Sequence, residues 1–255
     1  MTVEIEQFLI GTDNFGVLVH DKATGATASI DAGDDQPIRA ALDRRNWRLT
    51  DILVTHHHGD HIAGLEALKK TSGARVVAAF ADQHRIPLID LAVREGDRVA
   101  VGSIQFDVIE TPGHTLGHIA YHAPDEHLLF AGDTLFSLGC GRLFEGTPQH
   151  MWSSLKKLRA LPDETQLYCG HEYTMSNARF SLRIDPENIA LDERVKEIEN
   201  LRAQNRFTLP VSLGLEKKTN PFLRAGDADL QRAVGMDGRD AADVFAALRA
   251  LKDKT

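Results

Sequence analysis

The chain has 255 residues, 42% of them hydrophobic and 26% charged, with a formal net charge of -8. That length can bury a full core, as one large domain or one domain plus a small one. The negative charge argues against a nucleic-acid partner, no apolar run approaches a membrane span, and two cysteines, Cys140 and Cys169, make no disulfide framework.

The N-terminus, from Met1 to Glu6, is acidic, with neither a basic n-region nor an apolar core, so a cytoplasmic location is expected. Residues 3–10 alternate as a strand. Residues 14–20 form a second strand after the turn signal that starts at Gly11, and residues 28–30 a third. Pro37 in a first turn opens a helix to Arg45. A short buried strand, 51–55, leads into His56-His-His-Gly-Asp-His61, and a helix is expected from His61 to Lys70. Strands follow at 75–79, 99–101, 104–110, 117–122 and 128–131, with Gly102-Ser103 as a hairpin turn. Thr147 and Pro148 start a helix to Ala160, and 166–168 is a last short strand.

After His171 strand signals are almost absent. Asp185-Pro-Glu187 is expected to cap a helix carrying Ile189, Val195, Ile198 and Leu201, Asp229 a short one, and Asp240 a final one. This divides the chain into a strand-rich domain, 1–171, and a small helical domain, 172–255. Residues 1–171 hold 15 Lys and Arg against 23 Asp and Glu, and residues 172–255 hold 14 of each. An anionic substrate would find its cations in the second part.

The strand-to-helix turn at 56–61 carries the chemistry. His56 and His58, two apart in extended backbone, point to one side, and His57 to the other. Asp60 and His61 lie where the helix starts. His114, Asp133 and His171 each follow a glycine at a strand end or turn. Five histidines and two aspartates suit two divalent ions, zinc first, with iron and manganese as alternatives. His57 and His118 could support the site without ligating, and Asp31 could accept from a ligand imidazole. His20, His84, His122, His127 and His150 have no such setting.

Thr-His-x-His-x-Asp-His at 55–61, Pro-Gly-His-Thr at 112–115, Gly-Asp-Thr at 132–134 and Gly-His at 170–171 resemble the metallo-β-lactamase superfamily. The resemblance implies an α+β fold, a four-layer αββα sandwich followed by a small α-helical domain. It implies that His56, His58 and His114 bind one metal, that Asp60, His61 and His171 bind the other, and that Asp133 bridges them. The stretches 139–146, 168–174 and 219–224 are similar to the glyoxalase II (hydroxyacylglutathione hydrolase) family. That likeness implies metal-dependent hydrolysis of S-D-lactoylglutathione to glutathione and D-lactate, the second step of methylglyoxal detoxification. A metal-bridging hydroxide would attack the thioester, with Asp60 and Asp133 in the catalytic set and neither cysteine as nucleophile. Arg142, Phe144, Tyr173, Arg249 and Lys252 would bind glutathione. Arg249 and Lys252, three apart on the last helix, share a face and suit its carboxylates. Phe144 departs from the usual tyrosine, and would either lose one hydrogen bond to glutathione or pack in the interior. The chain is expected to act as a monomer. The alternative is a glutathione persulfide dioxygenase with a single iron; the intact second-metal set and the helical domain weigh against it.

Overall fold

Two parallel strand ends set the geometry of the whole N-terminal part. In the computed structural model, which describes residues 3–255, strands β1 (Val3–Ile10), β2 (Asn14–Asp21) and β3 (Thr27–Ile30) run antiparallel in succession. After helix α1 (Asp35–Arg45) the chain returns as β4 (Asp51–Leu53), parallel to β3. Helices α2 (Gly59–Ile62) and α3 (Leu65–Ser72) then lead to β5 (Arg75–Ala79) and β6 (Leu91–Val93), both parallel additions to the six-stranded sheet β1-β2-β3-β4-β5-β6. Met1 and Thr2 lie outside the described residues. In an open sheet of this kind the loops at the carboxyl ends of the parallel strands gather on one edge, where ligands bind. Asp31 after β3 and the histidine run after β4 both lie there.

Asp34 caps α1 by accepting from Gln36 N, and Ile38, Ala41 and Leu42 pack down onto the sheet with Leu65 and Leu68 of α3, Ile52 and Val76 of the strands, and Val54 just after β4. Each fully buried aliphatic side chain there is worth roughly 1.5–3 kcal/mol. On the other face lies an antiparallel meander, β7 (Arg98–Val101), β8 (Ile104–Glu110), β9 (Ile119–Ala123) and β10 (Leu128–Phe130). The buried Tyr121 hydroxyl ties the two layers by donating to Val54 O at 3.0 Å, and Ser103 in the β7–β8 turn donates to Asp21 from both its N–H and its hydroxyl.

The helix expected over 61–70 is broken. Its two pieces flank Ala63 and Gly64, and Gly64 N donates to Ala32 O at 2.7 Å. A Cβ at Gly64 would lie 2.4 Å from Asp35 N, so the chain passes too close to the start of α1 for any side chain. The strand expected at 51–55 also ends early, at Leu53, because Thr55 N turns to the Asp31 carboxylate rather than to a neighbouring strand.

Residues 3–110 and 117–132 form one compact unit; residues 111–116 and 133–255 form the other. The cut expected at residue 171 falls inside the second unit. That unit holds a small hairpin, β11 (Leu135–Phe136) and β12 (Gly139–Cys140), then helix α4 (Pro148–Arg159), and the pair β13 (Gln166–Tyr168) and β14 (Val211–Ser212). Its helices continue as α5 (Thr174–Ile184), α6 (Ile189–Ala203), α7 (Leu213–Thr219), α8 (Ala228–Ala233) and α9 (Ala241–Lys252). An aromatic core joins them: Phe180 stacks on Phe222 at 5.8 Å, and Phe222 meets Phe245 edge-on at 6.0 Å.

Several boundaries differ from the sequence expectation. Helix α5, β14 and α7 were not anticipated; Tyr173, the residue before α5, gives it no side-chain cap. Asp185 does not cap α6 but follows the end of α5, bound to Arg224; Asn188 caps α6, accepting from Leu191 N. Asp229 lies within α8, whose first flanking residue is Asp227. Asp240 does cap α9, accepting from Ala242 N at 2.8 Å. His150, which had no expected role, closes a capping box with Thr147.

Candidate active site

In the first unit the donors are built from the strand ends upward. Asp31 has a left-handed backbone (φ 57°), which a short polar side chain tolerates. Its carboxylate accepts from Thr55 N at 2.7 Å and Thr55 Oγ1 at 2.9 Å, and stands 2.8 Å from His61 Nδ1. With Nδ1 so engaged, His61 leaves Nε2 as the nitrogen that could bind a metal, the arrangement that makes an imidazole a better donor. Thr55 Oγ1 also lies 3.0 Å from His56 Nδ1, which leaves His56 Nε2 to face His58 Nδ1 at 3.1 Å. Two nitrogens bound tetrahedrally to one ion at 2.0–2.1 Å would stand roughly 3.3 Å apart, so this pair fits a shared ion. Asp60 and His61 also bring ligand atoms within 4.8 Å of each other, and Asp60 is the exposed member.

His57 points the other way, as its spacing requires. Its Nδ1 is 3.1 Å from the fully buried Asp82 and its Nε2 is 3.3 Å from Arg85. It anchors the loop. His118 is buried, with its ring stacked 4.9 Å from that of His56.

In the second unit, Asp133 Oδ2 lies 3.4 Å from both His114 Nε2 and His171 Nε2. One carboxylate oxygen is thus shared between two imidazoles, as a bridging ligand would be. His114 Nδ1 is fixed at 2.9 Å from Arg142 O. The His171 ring stacks on Tyr173 at 4.7 Å, interplanar 1°. The donor chemistry, imidazole nitrogen with carboxylate oxygen, suits a borderline divalent cation.

The residues expected to hold glutathione lie in the same unit but in different states. Phe144 is 64% exposed, with its ring edge-on to His114 at 5.2 Å; it is not packed in the interior. Tyr173 is partly exposed, and Arg142 reaches toward Asp253 at 3.9 Å. Arg249 is buried: it donates to Cys140 O at 2.9 Å, pairs with Asp253 at 2.8 Å and lies over the Phe222 ring. Lys252 donates to Ser176 O and sits over Phe180. Burial, with Arg249, Arg183 and Arg142 adding to it, lowers the Lys252 ammonium to about 8. Burial pushes the Cys140 thiol up to about 11 despite Arg249 and raises Cys169 further, so both thiols stay protonated at neutral pH. A cleft of about 810 Å³ lined by Asp185, Asn188, Lys217 and Arg224 contains none of the expected site residues. Among the described residues no helix is long and apolar enough to cross a membrane.

Residues 17–171 match the family model of the metallo-beta-lactamase superfamily, and residues 172–255 match that of the hydroxyacylglutathione hydrolase C-terminus. A hydroxyacylglutathione hydrolase from Rhizobium meliloti (strain 1021) is 55% identical, over 98% of both chains. Another from Rhodopseudomonas palustris (strain ATCC BAA-98 / CGA009) is 57% identical over 95% of both. The chain belongs to the hydroxyacylglutathione hydrolase family. Its fold is the metallo-β-lactamase αββα sandwich followed by a helical part, and as a family member it is a thioester hydrolase. Among solved structures, ETHE1 from Myxococcus xanthus superposes with a TM-score of 0.70 at 26% identity, covering 97% of this chain and 90% of that one. That is a distant likeness beside the hydrolases. Family and donor set together make this a divalent-metal protein.

Proposed function

We propose that the protein hydrolyses S-D-lactoylglutathione and related 2-hydroxyacyl glutathione thioesters to glutathione and the 2-hydroxy acid, D-lactate from the first, completing methylglyoxal detoxification. The observation that carries this reading is the Asp133 carboxylate set between His114 and His171, in a chain so close to named hydroxyacylglutathione hydrolases over nearly its whole length. His56, His58 and His114 would hold one divalent ion and Asp60, His61 and His171 a second, with Asp133 on both; zinc is the proposed metal. Bound there, the ions would supply Lewis acidity and bring a water's pKa toward neutrality.

The chain's own residues do the rest. Asp31 fixes the tautomer of His61, and Arg142 O that of His114. Lys252, a cation at neutral pH, and Arg142 offer their charges to the glutathione carboxylates. The Tyr173 hydroxyl is the hydrogen-bond donor to the tripeptide, and Phe144 lays an apolar face beside it. Cys140 O and Asp253 occupy the Arg249 donors, so Arg249 would act by holding Cys140 and the end of α9 in place rather than by direct contact. The metal chemistry is assigned to residues 1–171 and glutathione recognition mainly to 172–255, in a cytoplasmic monomer.

The test is hydrolysis of S-D-lactoylglutathione before and after chelation, with oxygen uptake on glutathione persulfide as the control. Chelator-sensitive hydrolysis without oxygen uptake is expected. Oxygen uptake without hydrolysis would replace this reading with the dioxygenase one.

A further inference from the structure

The Thr219–Arg224 stretch resembles a stretch of the family's helical part and contains none of the proposed metal ligands. The hydrogen bonds around the β11–β12 hairpin show what it does. Every backbone carbonyl from Phe136 to Cys140 accepts a side-chain donor from the helical segment. Asn220 Nδ2 lies 3.1 Å from Phe136 O and 3.0 Å from Gly139 O. Asn177 donates to Ser137 O at 3.1 Å, Ser181 to Leu138 O at 3.3 Å, and Arg249 to Cys140 O at 2.9 Å. Glu216 takes the donors of the same turn, Ser137 Oγ and Leu138 N, both at 2.8 Å, and also accepts from Asn220 Nδ2 at 3.0 Å.

Such a turn has little to hold it otherwise. Its strands are two residues long, and Leu138 at its tip has φ 56°, a left-handed conformation costly for a branched side chain. Asn177, Ser181, Glu216 and Asn220 are all buried, where a lost partner leaves an unpaired polar group behind. The hairpin in turn controls Asp133. Gly141 N donates to Thr134 O, and a Cβ at Gly141 would stand 1.9 Å from Asp133 O. The base of the hairpin is therefore pressed onto the backbone of Asp133. At the same base, Cys140 carries the carbonyl that anchors Arg249, and Arg142 follows Gly141.

We propose that Glu216, Asn220, Asn177 and Ser181 are positioning residues for Asp133, acting through the β11–β12 hairpin. The helical segment thereby sets the placement of a metal ligand that lies 44 residues upstream of Asn177 and farther from the other three. The inference rests on the reading of Asp133 as a metal ligand, and its test is read from metal binding rather than turnover.

Cobalt(II) is titrated into the metal-depleted full-length protein and followed by its visible absorption, with circular dichroism confirming the fold. The parent, Asp133→Ala, Asn220→Ala, Ser181→Ala and, as a control, Leu230→Ala in the core of α8 are compared. Asn220→Ala is expected to weaken cobalt binding roughly tenfold, the low end of what losing a ligand-supporting contact costs. Ser181→Ala, which removes a single hydroxyl and so keeps the fold, should weaken it about threefold. Leu230→Ala should lower the melting temperature and leave cobalt affinity alone. Affinity within twofold of the parent in Asn220→Ala and Ser181→Ala, with Asp133→Ala impaired, would overturn the inference and leave the metal reading intact. Unchanged affinity in Asp133→Ala would overturn both.

Discussion

The two loops that carry the proposed metal donors are held in opposite ways. The 55–61 turn is fixed by its neighbours at the strand ends: Asp31 on β3's end takes Thr55 and His61, and Asp82 takes His57. The Asp133 loop is fixed by side chains brought back from far along the chain, among them Glu216, Asn220 and Arg249. The first is a local solution, written in a run of histidines whose two-residue period already separates the proposed ligands from the anchor. The second is a tertiary one, in which a lone aspartate gains its place only when the helices have folded.

The comparison breaks most sharply at Asp133 itself. Asp133→Ala is expected to reduce hydrolysis of S-D-lactoylglutathione by roughly 10²-fold or more, above the loss typical of a merely supporting residue, while the circular dichroism spectrum is unchanged. Activity within a few-fold of the parent would contradict the shared carboxylate.

The matching break in the local loop is Asp31→Asn. The amide cannot accept on both oxygens from Thr55 and still orient His61, so metal affinity should fall about 10–100-fold. Chelator competition measures it. A normal affinity would mean that His61 needs no partner.

What the sequence made legible follows the same division. His56, His58, Asp60 and His61 announce themselves by spacing, and Asp31 by its place at a strand end. Asp133 and His171 are visible only as glycine-flanked residues after strands. The break at Gly64 is invisible because its cause, the start of α1, lies some thirty residues away. The burial of Arg249 is hidden for the same reason: helical spacing puts it on a face with Lys252, but only the packed structure places Cys140 O and Asp253 within its reach. Helix α5 begins without a capping side chain, so no local signal marks it.

The binding face gives the next effect. Lys252 is a cation below about 8 and loses its proton above it, with Arg249, Arg183 and Arg142 disfavouring the charge and Asp253 nearby. A protonated ammonium is the form that binds a carboxylate. KM for glutathione thioesters should therefore stay level below pH 8 and rise up to about tenfold per pH unit above it, with kcat following a separate profile. Lys252→Arg, always charged, should flatten that rise. A KM independent of pH between 7 and 9.5 in the parent would remove Lys252 from the carboxylate site.

The smallest effect belongs to Phe144. Because its ring is exposed, Phe144→Tyr can add a hydroxyl without burying it. One neutral hydrogen bond, roughly 0.5–1.5 kcal/mol, would lower KM about two- to tenfold with no loss in melting temperature. An unchanged KM would show that the ring does not face glutathione.

The most direct test of the central claim, that one carboxylate joins two ions, is electron paramagnetic resonance of the manganese(II)-loaded protein with the metal counted per chain. The account predicts two ions per chain whose spins are coupled in the parent, with the coupling lost in Asp133→Ala. A single ion per chain, or two ions that are uncoupled in the parent, would contradict it.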